Sequence, residues 1–508
     1  SGFAGTADFA GGAGKLTLAD KALFKGRLVG SENLSVMVNG GALDLTGPTT
    51  LSTLAVGANG VVVTTLSKDP AAGSGITVTG NASFADGAKL KLRLTDIAEA
   101  EGIYTVIDAG TLTGAGSLKP DVALVPFMYK AQLAVDQAAG LVKVDIDRKA
   151  TDELGLNRAQ TTAYDALYAA LAEDDDVAGV FLGITEKDPF RAAVAQTLPD
   201  HAGGAFDGLS LGIRTFARRL AEPQGPFERK EKLSIVFDAA GWDSSKDEGD
   251  TAHYDLDGLG FSGGAELQTG LGTVGATATW LWNRHDTLAD NSLISNTYEG
   301  ALYWRGKWGA LSGFARGSYS FANFDGARYF NGKDGDQTVT RTMDGEWSGN
   351  ATSFIAGVSL EAGSQFFFFR PSVTLDYIRL SEDGYVETGG EALNLTVEDR
   401  TSDELAVNVG SAVGVDLLGM RRRDKNWLRI EAEGGWREIL SGELGATTAR
   451  FGDGDSFTLT PEERTSGWFA RLRGVGGDAF YTISGELSAE EHNDQIGYAL
   501  RASVSFAM

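Results

Sequence analysis

The sequence has no cysteine, so disulfide bonds and thiolate metal sites are excluded along all 508 residues. This absence also suits a chain that must cross a narrow pore unfolded, because a disulfide would form a bulky knot. Long apolar runs are missing too, and none approaches the roughly 18 residues of a transmembrane helix. A membrane β-barrel is still compatible with the sequence, because each of its strands shows only alternation of apolar and polar residues.

Proline and positive charge are also scarce, whereas glycine is abundant. The chain has 10 Pro and 68 Gly, and this much Gly without a collagen repeat indicates many turns and closely packed strands. Its 44 Lys and Arg are outnumbered by 69 Asp and Glu, for a net charge of −25. This balance argues against nucleic acid as a partner, because phosphate binding needs clustered cations. No signal peptide is visible at Ser1, and we expect the chain to be a fragment of something longer.

Residues 1–148 alternate short apolar strands with Gly-Asn, Asn-Gly and Asp-Gly steps, which are typical of turns. This regular punctuation predicts the stacked rungs of a β-solenoid, with a plain β-sandwich as the alternative. A solenoid needs a cap at its open end, and the segment from Gly102 to Ile146 can supply it. We therefore expect a capped solenoid stem over this part of the chain.

Helical periodicity begins after the predicted stem. Asn157 can cap a helix that runs to Leu171, and the acidic run Glu173–Asp176 then breaks it. A second helix is expected to open at Asp188, which can act as its cap, with Pro189 at the first helical position.

A third helix is predicted from a cap at Asp200 to about Leu220. Its residues divide into two faces. The apolar face, spaced three and four apart, holds Phe206, Leu209, Ile213, Phe216 and Leu220, and the other side carries Arg214, Arg218 and Arg219.

From residue 230 onward the pattern is strand only, with a period of two. We count about twelve strands of mostly about 12 to 17 residues, which is longer than is usual in soluble sheets. They are predicted to begin near Lys232, Tyr254, Gly272, Ser295, Trp308, Ser348, Gln365, Ser402, Asn426, Arg464, Asp478 and Gln495.

This alternation fits a membrane barrel or a soluble β-sandwich, and three features favour the barrel. The strands are long, their number is even, and their polar face carries small residues and isolated charges that suit a wet lumen. Aromatic residues also cluster towards strand ends, as they do at membrane interfaces. A closed barrel satisfies every backbone polar group in lipid, which an open sheet cannot do.

Three stretches resemble the autotransporters, the type Va secretion family, over the chain from about residue 100 to its end. LPDHAGGAFDGLSLGIRTFARRL, at 198–220, is similar to the helix that threads the barrel lumen in that family. Gly434-Gly-Trp-Arg-Glu, Ala446-Thr-Thr-Ala-Arg-Phe-Gly and Ser456-Phe-Thr-Leu resemble the pattern around its late strands. GYALRASVSFAM resembles its terminal strand, although the family usually ends in Phe or Trp and this chain ends in Met508.

The resemblance implies a mainly β fold: a 12-stranded antiparallel transmembrane β-barrel with a lumenal α-helix, preceded by a helical linker and a β-solenoid passenger stem. The implied domains are a β-helical passenger end with an autochaperone-like cap at 1–148, the linker at 149–200, the lumenal helix at 201–229 and the barrel at 230–508. It also implies a monomeric barrel in the outer membrane and a passenger at the cell surface. The implied partners are outer-membrane lipid, lipopolysaccharide, the barrel-assembly machinery and periplasmic chaperones.

Two sets of functional residues follow from the resemblance and the alternation together. Arginines of the lumenal helix are expected to face acids on the inner wall, because buried charges need partners. These are Arg214, Arg218 and Arg219 on the helix, with Glu266, Glu299, Asp376, Glu431 and Glu433 as candidates on the wall. The expected assembly signal is the apolar face of the last strand, formed by Tyr498, Leu500, Val504, Phe506 and Met508.

No catalytic, cofactor or metal site is predicted, and no enzyme activity is expected. Gly260-Phe-Ser-Gly-Gly and Gly208-Leu-Ser-Leu-Gly match the nucleophile pattern G-x-S-x-G, but they lie within a predicted strand and a predicted helix. The four His residues are scattered without ligand spacing. Two other functions remain open: a passive outer-membrane pore, and the carriage of an enzymatic passenger domain encoded further upstream.

The passenger is expected to stay attached. Some members of the family cut themselves at an Asn of the lumenal helix, and here no Asn occurs between Asn157 and Asn283. The resemblance therefore implies a tethered passenger, as in an adhesin or a surface-display protein. Cleavage by an external protease stays open, because the run Glu173–Asp176 is expected to be exposed and polar.

Overall fold

The computed structural model describes residues 2–69, 71–121, 125–225, 232–287, 291–364, 366–417, 426–492 and 495–508. The predicted domain boundary between residues 229 and 230 and the predicted strand start at Gln365 lie outside these ranges. The chain forms two compact units. The first comprises Ser1–Leu156, Leu167–Ala195 and Phe330–Thr340, and the second comprises Asn157–Ala166, Gln196–Tyr329 and Arg341–Met508.

The first unit contains two sheets built largely from parallel strands. Its strands β1–β14 are Gly2–Asp8, Gly14–Ala19, Leu23–Val29, Leu34–Asn39, Ala42–Leu45, Thr49–Leu51, Thr53–Val56, Val61–Leu66, Ile76–Phe84, Lys89–Leu94, Gly102–Thr113, Lys119–Asp121, Tyr129–Asp136 and Leu141–Arg148. One sheet has the order β1-β3-β5-β8-β10-β12, and the other has β13-β14-β11-β9-β7-β4-β2. Because the chain alternates between the sheets and pairs in parallel, this is the arrangement of a β-solenoid; a sandwich would pair neighbouring strands antiparallel.

Identical burial from rung to rung explains why the strands stack. Phe24 lies opposite Leu43, Leu43 opposite Val62, and Val62 opposite Leu90, and all four side chains are buried. Full burial of one such side chain contributes roughly 1.5–3 kcal/mol, so each added rung extends a continuous apolar column.

The parallel stacking ends at β11, the segment predicted as the start of a cap. β14 pairs antiparallel with β11, and β13 pairs antiparallel with β14. The turn between β13 and β14 closes on Gly140, whose φ of 72° is the left-handed conformation that favours glycine. A Cβ at this position would lie 2.0 Å from the carbonyl oxygen of Ala109.

We predict that Gly140→Ala destabilises the cap hairpin by about 1–3 kcal/mol, because it adds both backbone strain and a steric overlap. Amide hydrogen exchange of residues 129–148 in the full chain should accelerate. Gly116→Ala is the matched control, because a Cβ there meets nothing within 4 Å. Equal exchange of the hairpin in both variants would contradict the prediction.

Four helices follow the stem: α1 Thr151–Leu154, α2 Arg158–Leu171, α3 Asp175–Gly183 and α4 Lys187–Ala195. The predicted cap at Asn157 is confirmed, since its Oδ1 accepts a 2.9 Å hydrogen bond from the backbone N–H of Gln160. The Asn157 N–H in turn donates a 3.2 Å hydrogen bond to the Gln160 side chain, which completes a reciprocal cap. None of the helices in the described ranges combines the length and apolar character needed to span a bilayer.

The predicted break at the acidic run is confirmed, because α2 ends at Leu171, whereas the predicted cap at Asp188 was wrong. The acidic run does more than break a helix, because buried Asp174 accepts a 3.1 Å hydrogen bond from the Val177 N–H and so caps α3. Asp188 is not a cap, because α4 already begins at Lys187. Pro189 still lies in the first turn, where its missing N–H is not needed.

The third predicted helix is α5, Gly204–Ala217, which continues as a 3-10 turn over Arg218–Ala221. Its predicted cap was wrong. The helix starts after Gly203, which has a φ of 90°, and no side chain caps it. The Asp200 carboxylate accepts a 2.8 Å hydrogen bond from Arg400 instead.

Within the described part of the second unit, twelve long strands form a closed antiparallel barrel. Strands β15–β31 are Leu233–Lys246, Tyr254–Thr269, Gly272–Thr287, Asn291–Trp308, Leu311–Asp334, Gln337–Leu360, Ala362–Gly363, Phe367–Glu382, Tyr385–Val386, Leu395–Val397, Arg400–Asp416, Trp427–Glu443, Thr447–Phe451, Ser456–Leu459, Gly467–Gly477, Tyr481–His492 and Gln495–Ala507. The wall order is β20-β19-β18-β17-β16-β15-β31-β30-β29-β26-β25-β22. Pairing of β20 with β22 closes the ring.

The predicted strand starts agree with the structure except in the region of β18–β20. The other described starts lie within three residues of the prediction. The start near Trp308 is also within three residues of β19, but those at Ser295 and Ser348 were wrong, because these residues lie inside β18 and β20. β19 and β20 each have 24 residues, and their polar distal halves resemble a loop in the sequence.

Two connections of the barrel form a small antiparallel sheet that the alternation did not predict. Its order is β23-β24-β27-β28, and the family-like stretches at 446–452 and 456–459 fall on β27 and β28. The strands are too short to show a period. Their buried side chains are Leu395, Val397, Ala449, Phe451, Phe457 and Leu459.

The outer surface of the barrel is apolar. Along β31, Leu500 and Phe506 point outward with 63% and 45% of their surface exposed, whereas Arg501 between them is 1% exposed. The same outward series holds Phe237, Phe261, Leu302, Phe321, Phe354, Phe367, Val409 and Leu472. An apolar exterior around a polar interior is the reverse of a soluble protein and is the pattern of a membrane barrel.

Candidate functional site: the helix inside the barrel

The helix α5 lies inside the barrel, and all 14 of its residues are buried. Glycines four residues apart let it approach the wall formed by β15–β17. A Cβ at Gly208 would lie 2.9 Å from the Asn283 Oδ1, and a Cβ at Gly212 would lie 2.9 Å from the Trp242 ring. This glycine face is a determinant of packing that the analysis of charges and apolar spacing missed, although the spacing is visible in the sequence.

The predicted apolar face of α5 is buried in full. Phe206, Leu209, Ile213, Phe216 and Leu220 are each at most 6% exposed. They form one apolar cluster with wall side chains, among them Trp242, Leu281, Phe314, Phe324 and Ile355. The helix therefore meets an apolar patch on an otherwise polar inner wall.

Arg219, at the end of the helix, lies among groups from three wall strands. Its Nη1 donates a 2.9 Å hydrogen bond to Glu266 on β16, and its Nε lies 3.3 Å from Asp238 on β15. Its Nη2 donates a 2.7 Å bond to the hydroxyl of Tyr303 on β18. Arg305 also reaches Glu266, at 3.0 Å, so Glu266 is shared between the helix and the wall. Of the five acids proposed from the sequence, Glu266 is the one that the structure pairs with a helix arginine.

Arg214 and Arg218 do face acids on the wall, but not those that the sequence suggested. Arg214 binds Glu490 on β30 and lies 3.6 Å from Glu404 on β25. Arg218 lies 3.5 Å from Glu486 on β30.

The other four candidate acids pair with arginines of the wall itself. Their ion pairs are Glu299 with Arg316, Asp376 with Arg437, Glu431 with Arg370 and Arg473, and Glu433 with Arg471 and Arg473. The inward acids were predicted as partners of the helix, and the inward arginines that alternate with them were left out of that prediction. Counting both signs on the inner face would have shown that the wall can satisfy most of its own charge.

Asp207, in the first turn of α5, is a buried acid that the sequence analysis did not single out. It accepts hydrogen bonds from the Tyr254 hydroxyl and the Arg464 guanidinium. The Nε2 of His492 lies 3.2 Å from the same carboxylate. A lone acid on a helix of glycine and apolar residues was the available signal.

The segment that leads into the helix is also fixed by charge. Arg400 donates to both the carboxylate and the backbone oxygen of Asp200, at 2.8 and 2.9 Å, and to Glu382. Burial alone would raise the pKa of the Asp200 carboxyl, but the nearby His285 and Arg400 lower this pKa overall. The next residue, His201, is buried as well, and its burial lowers the pKa of its imidazole.

The helix does not fill the lumen. An open pocket remains beside it, towards the strands opposite its glycine face. Both signs of charge line this space, including Arg214, Arg218, Glu222, Arg305, Arg437 and Glu490.

The last strand carries the proposed assembly signal on its outer face. Tyr498, Leu500, Phe506 and Met508 are each more than 40% exposed, and Val504 is half-buried between them. The strand also closes the barrel, because it pairs with the first strand from Ser234 opposite Ala507 to Asp243 opposite Tyr498.

The two G-x-S-x-G matches lie within β16 and α5, so neither has the strand–turn–helix context of a nucleophile. Among the described residues, no three His, Asp or Glu side chains group closely enough to hold a metal ion.

We predict that Arg219→Met lowers the stability of the barrel by about 3–5 kcal/mol, because it leaves Asp238 and Glu266 buried with a missing cation. The measurement is the urea midpoint of the heat-modifiable band shift in detergent. Arg284→Met is the control, because its pair with Asp286 is exposed and should contribute only about 0–1 kcal/mol. Equal midpoints for Arg219→Met and the unaltered chain would contradict the prediction.

Three similar solved structures are the translocator domain of the autotransporter NalP from Neisseria meningitidis (15% identity, covering 59% of this chain and 98% of that one, TM-score 0.45), the β-domain of the Bordetella autotransporter BrkA (14%, 54% and 99%, 0.38) and the transport unit of the autotransporter AIDA-I from Escherichia coli (11%, 61% and 100%, 0.37). No curated protein matches the chain. The autotransporter β-domain family matches residues 239–505, more than half of the sequence. The chain therefore belongs to the autotransporter family.

Proposed function

We propose that this protein secretes the region preceding its lumenal helix and keeps that region anchored at the cell surface. The β-domain of an autotransporter is an outer-membrane translocator of type V secretion and is not itself an enzyme. The observation that carries the proposal is the continuous chain that runs from the solenoid through the helices into α5 and then into the barrel wall.

The direction of the lumenal helix supports outward placement of the first unit. Tight turns at 270–271 and 309–310 lie at one end of the barrel, and the long connections 383–399 and 444–466 lie at the other. In outer-membrane barrels the short turns are periplasmic and the long loops extracellular. Asp207 binds Arg464 in a long connection, whereas Arg219 binds Glu266 close to a tight turn. The helix therefore starts at the extracellular end.

The same features support a passenger that stays attached. No Asn occurs between Asn157 and Asn283, so the lumenal helix lacks the side chain that its self-cleaving relatives are expected to use. The acidic run at 173–176 also offers less to an external protease than its composition suggested, because Asp174 is buried and α3 begins immediately after it. A permanently displayed solenoid suits an adhesin or a surface-display protein.

A passive pore is the second candidate function, and the charged pocket that remains beside the helix favours it. Conductance of the purified protein in a planar bilayer separates the two. A high conductance at rest supports a pore, and a low conductance supports a translocator that its own helix closes. A third alternative, an enzymatic passenger domain upstream, adds to the translocator function and does not replace it.

We propose that assembly depends on the barrel-assembly machinery, on periplasmic chaperones and on insertion among lipid and lipopolysaccharide, with the last strand as the signal. Its outward apolar series supports this, because a charge on the lipid face of a barrel is destabilising.

We predict that Phe506→Asp reduces the amount of protein in the outer membrane, since it places a charge in the lipid-facing series. Ser505→Asp is the matched control, because Ser505 points into a polar part of the lumen. Quantitative heat-modifiable migration of membrane fractions measures both variants. Met508→Phe should be neutral or beneficial. Wild-type levels of Phe506→Asp would count against the proposed signal.

We predict that the protein keeps its full mass when it is expressed in an outer membrane that lacks surface proteases. Intact-mass spectrometry of the purified protein measures this, and protease added to intact cells should remove the N-terminal region and leave the barrel. A fragment ending within residues 202–229 in the protease-deficient membrane would refute the uncleaved passenger. Resistance of the N-terminal region to added protease, in cells where it is degraded after lysis, would refute its surface location.

A further inference from the structure

At the point where the barrel closes, the end of the lumenal helix contributes a charge to each of the two paired strands. The closing seam is the pairing of β15 with β31, the first and last strands of the barrel. On β15, Asp238 lies 3.3 Å from Arg219 of the helix end. On β31, Arg501 binds Glu222, the residue that follows the 3-10 turn.

These pairs are joined to one another across the seam. Arg501 Nη1 lies 3.7 Å from Asp238, so Asp238 sits between a helix cation and a strand cation. Glu222 also accepts a 2.8 Å hydrogen bond from Ser484 on β30, which ties the same carboxylate to the neighbouring strand. Asp238 is 6% exposed and Arg501 is 1% exposed, so water screens neither pair strongly.

We propose that residues Arg219 and Glu222 form an internal bracket that holds the first and last strands of the barrel together. The bracket makes the stability of the seam depend on the helix. While the helix end is docked, the two strands cannot separate without leaving buried charges unpaired. Withdrawal of the helix end leaves Arg501 with contacts at 3.7 Å to Asp238 and to Glu486, both longer than its pair with Glu222. Barrel closure and helix docking are therefore one cooperative event.

The energetic argument rests on desolvation. Removing one partner of a buried ion pair costs far more than removing a surface pair, because the remaining charge stays buried. The ion pair that joins β18 to β19, by contrast, includes no residue of the helix. The pair of Glu299 on β18 with Arg316 on β19, at 2.6 Å, is equally buried, and both of its members belong to the wall.

The test is hydrogen exchange of the full protein in lipid nanodiscs, followed by mass spectrometry, for Arg501→Met and Glu222→Gln. Exchange of residues 234–243 and 498–507 should accelerate roughly ten- to hundredfold in both variants, while exchange of β18 and β19 stays unchanged. Arg316→Met is the matched control and should accelerate exchange at β18 and β19 but not at the seam. Unchanged seam exchange in Glu222→Gln, or equal acceleration around the whole ring, would overturn the proposal.

A second experiment tests the proposal if Arg501→Met does not insert into the membrane. Because the chain has no cysteine, Ala239→Cys with Ala502→Cys places a single engineered pair at directly opposed positions of the seam. Under oxidising conditions this pair should restore insertion of Arg501→Met. A pair at Ala265 and Ala276, which oppose each other between β16 and β17, should not restore it. Rescue by both pairs, or by neither, would show that Arg501 does not act at the seam.

Discussion

The hydrogen-bonding demand of a backbone in lipid is the constraint on which the rest of this structure depends. A strand in the bilayer must form hydrogen bonds with a neighbour on both sides, so β15 must pair with β31 and β20 with β22. Closure fixes the direction of every side chain, because the faces of a strand alternate. The apolar series then points to lipid and the polar series is enclosed, and enclosed charge must be paired. The buried Arg–Glu and Arg–Asp pairs of the lumen follow from closure itself.

The lumenal helix meets this interior with three different surfaces. Its glycines at 204, 208 and 212 bring the backbone close to β15–β17, and its apolar face meets an apolar patch of the wall. Its arginines continue the pairing that the wall began. Each surface alone occurs on many soluble helices. Together they fit an enclosure whose wall lies close to the glycines, is apolar where it meets the apolar face, and carries acids where it meets the arginines. That match explains why a helix with no exposed residue can carry Asp207, Arg214, Arg218 and Arg219.

The sequence predicted those features that repeat and missed those that depend on register. The period of two along β16, β17 and β31 predicted their starts to the residue, and the spacing of Phe206 to Leu220 predicted the buried face of α5. Ion-pair partners could not be predicted in the same way. Glu299 and Arg316 are 17 residues apart, whereas Asp376 and Arg437 are 61 apart, and no local pattern links positions that far apart. The prediction of the α5 cap was wrong for a related reason. The Asp200 carboxylate accepts a hydrogen bond from Arg400, which is distant in the sequence.

The distribution of charge along the chain also explains how the helix is held against axial displacement. At the start of the helix, Arg400 joins Asp200 to Glu382, and Asp207 joins the first turn to Arg464. At its other end, Arg219 and Glu222 join the last turn to β15, β16 and β31. A pull on the preceding chain must therefore expose or unpair buried charge at both ends, whereas a helix held by apolar contact alone would slide past its wall at a lower cost. Retention of the helix in the lumen and closure of the barrel thus depend on the same kind of interaction, a buried ion pair that is costly to break once it has formed.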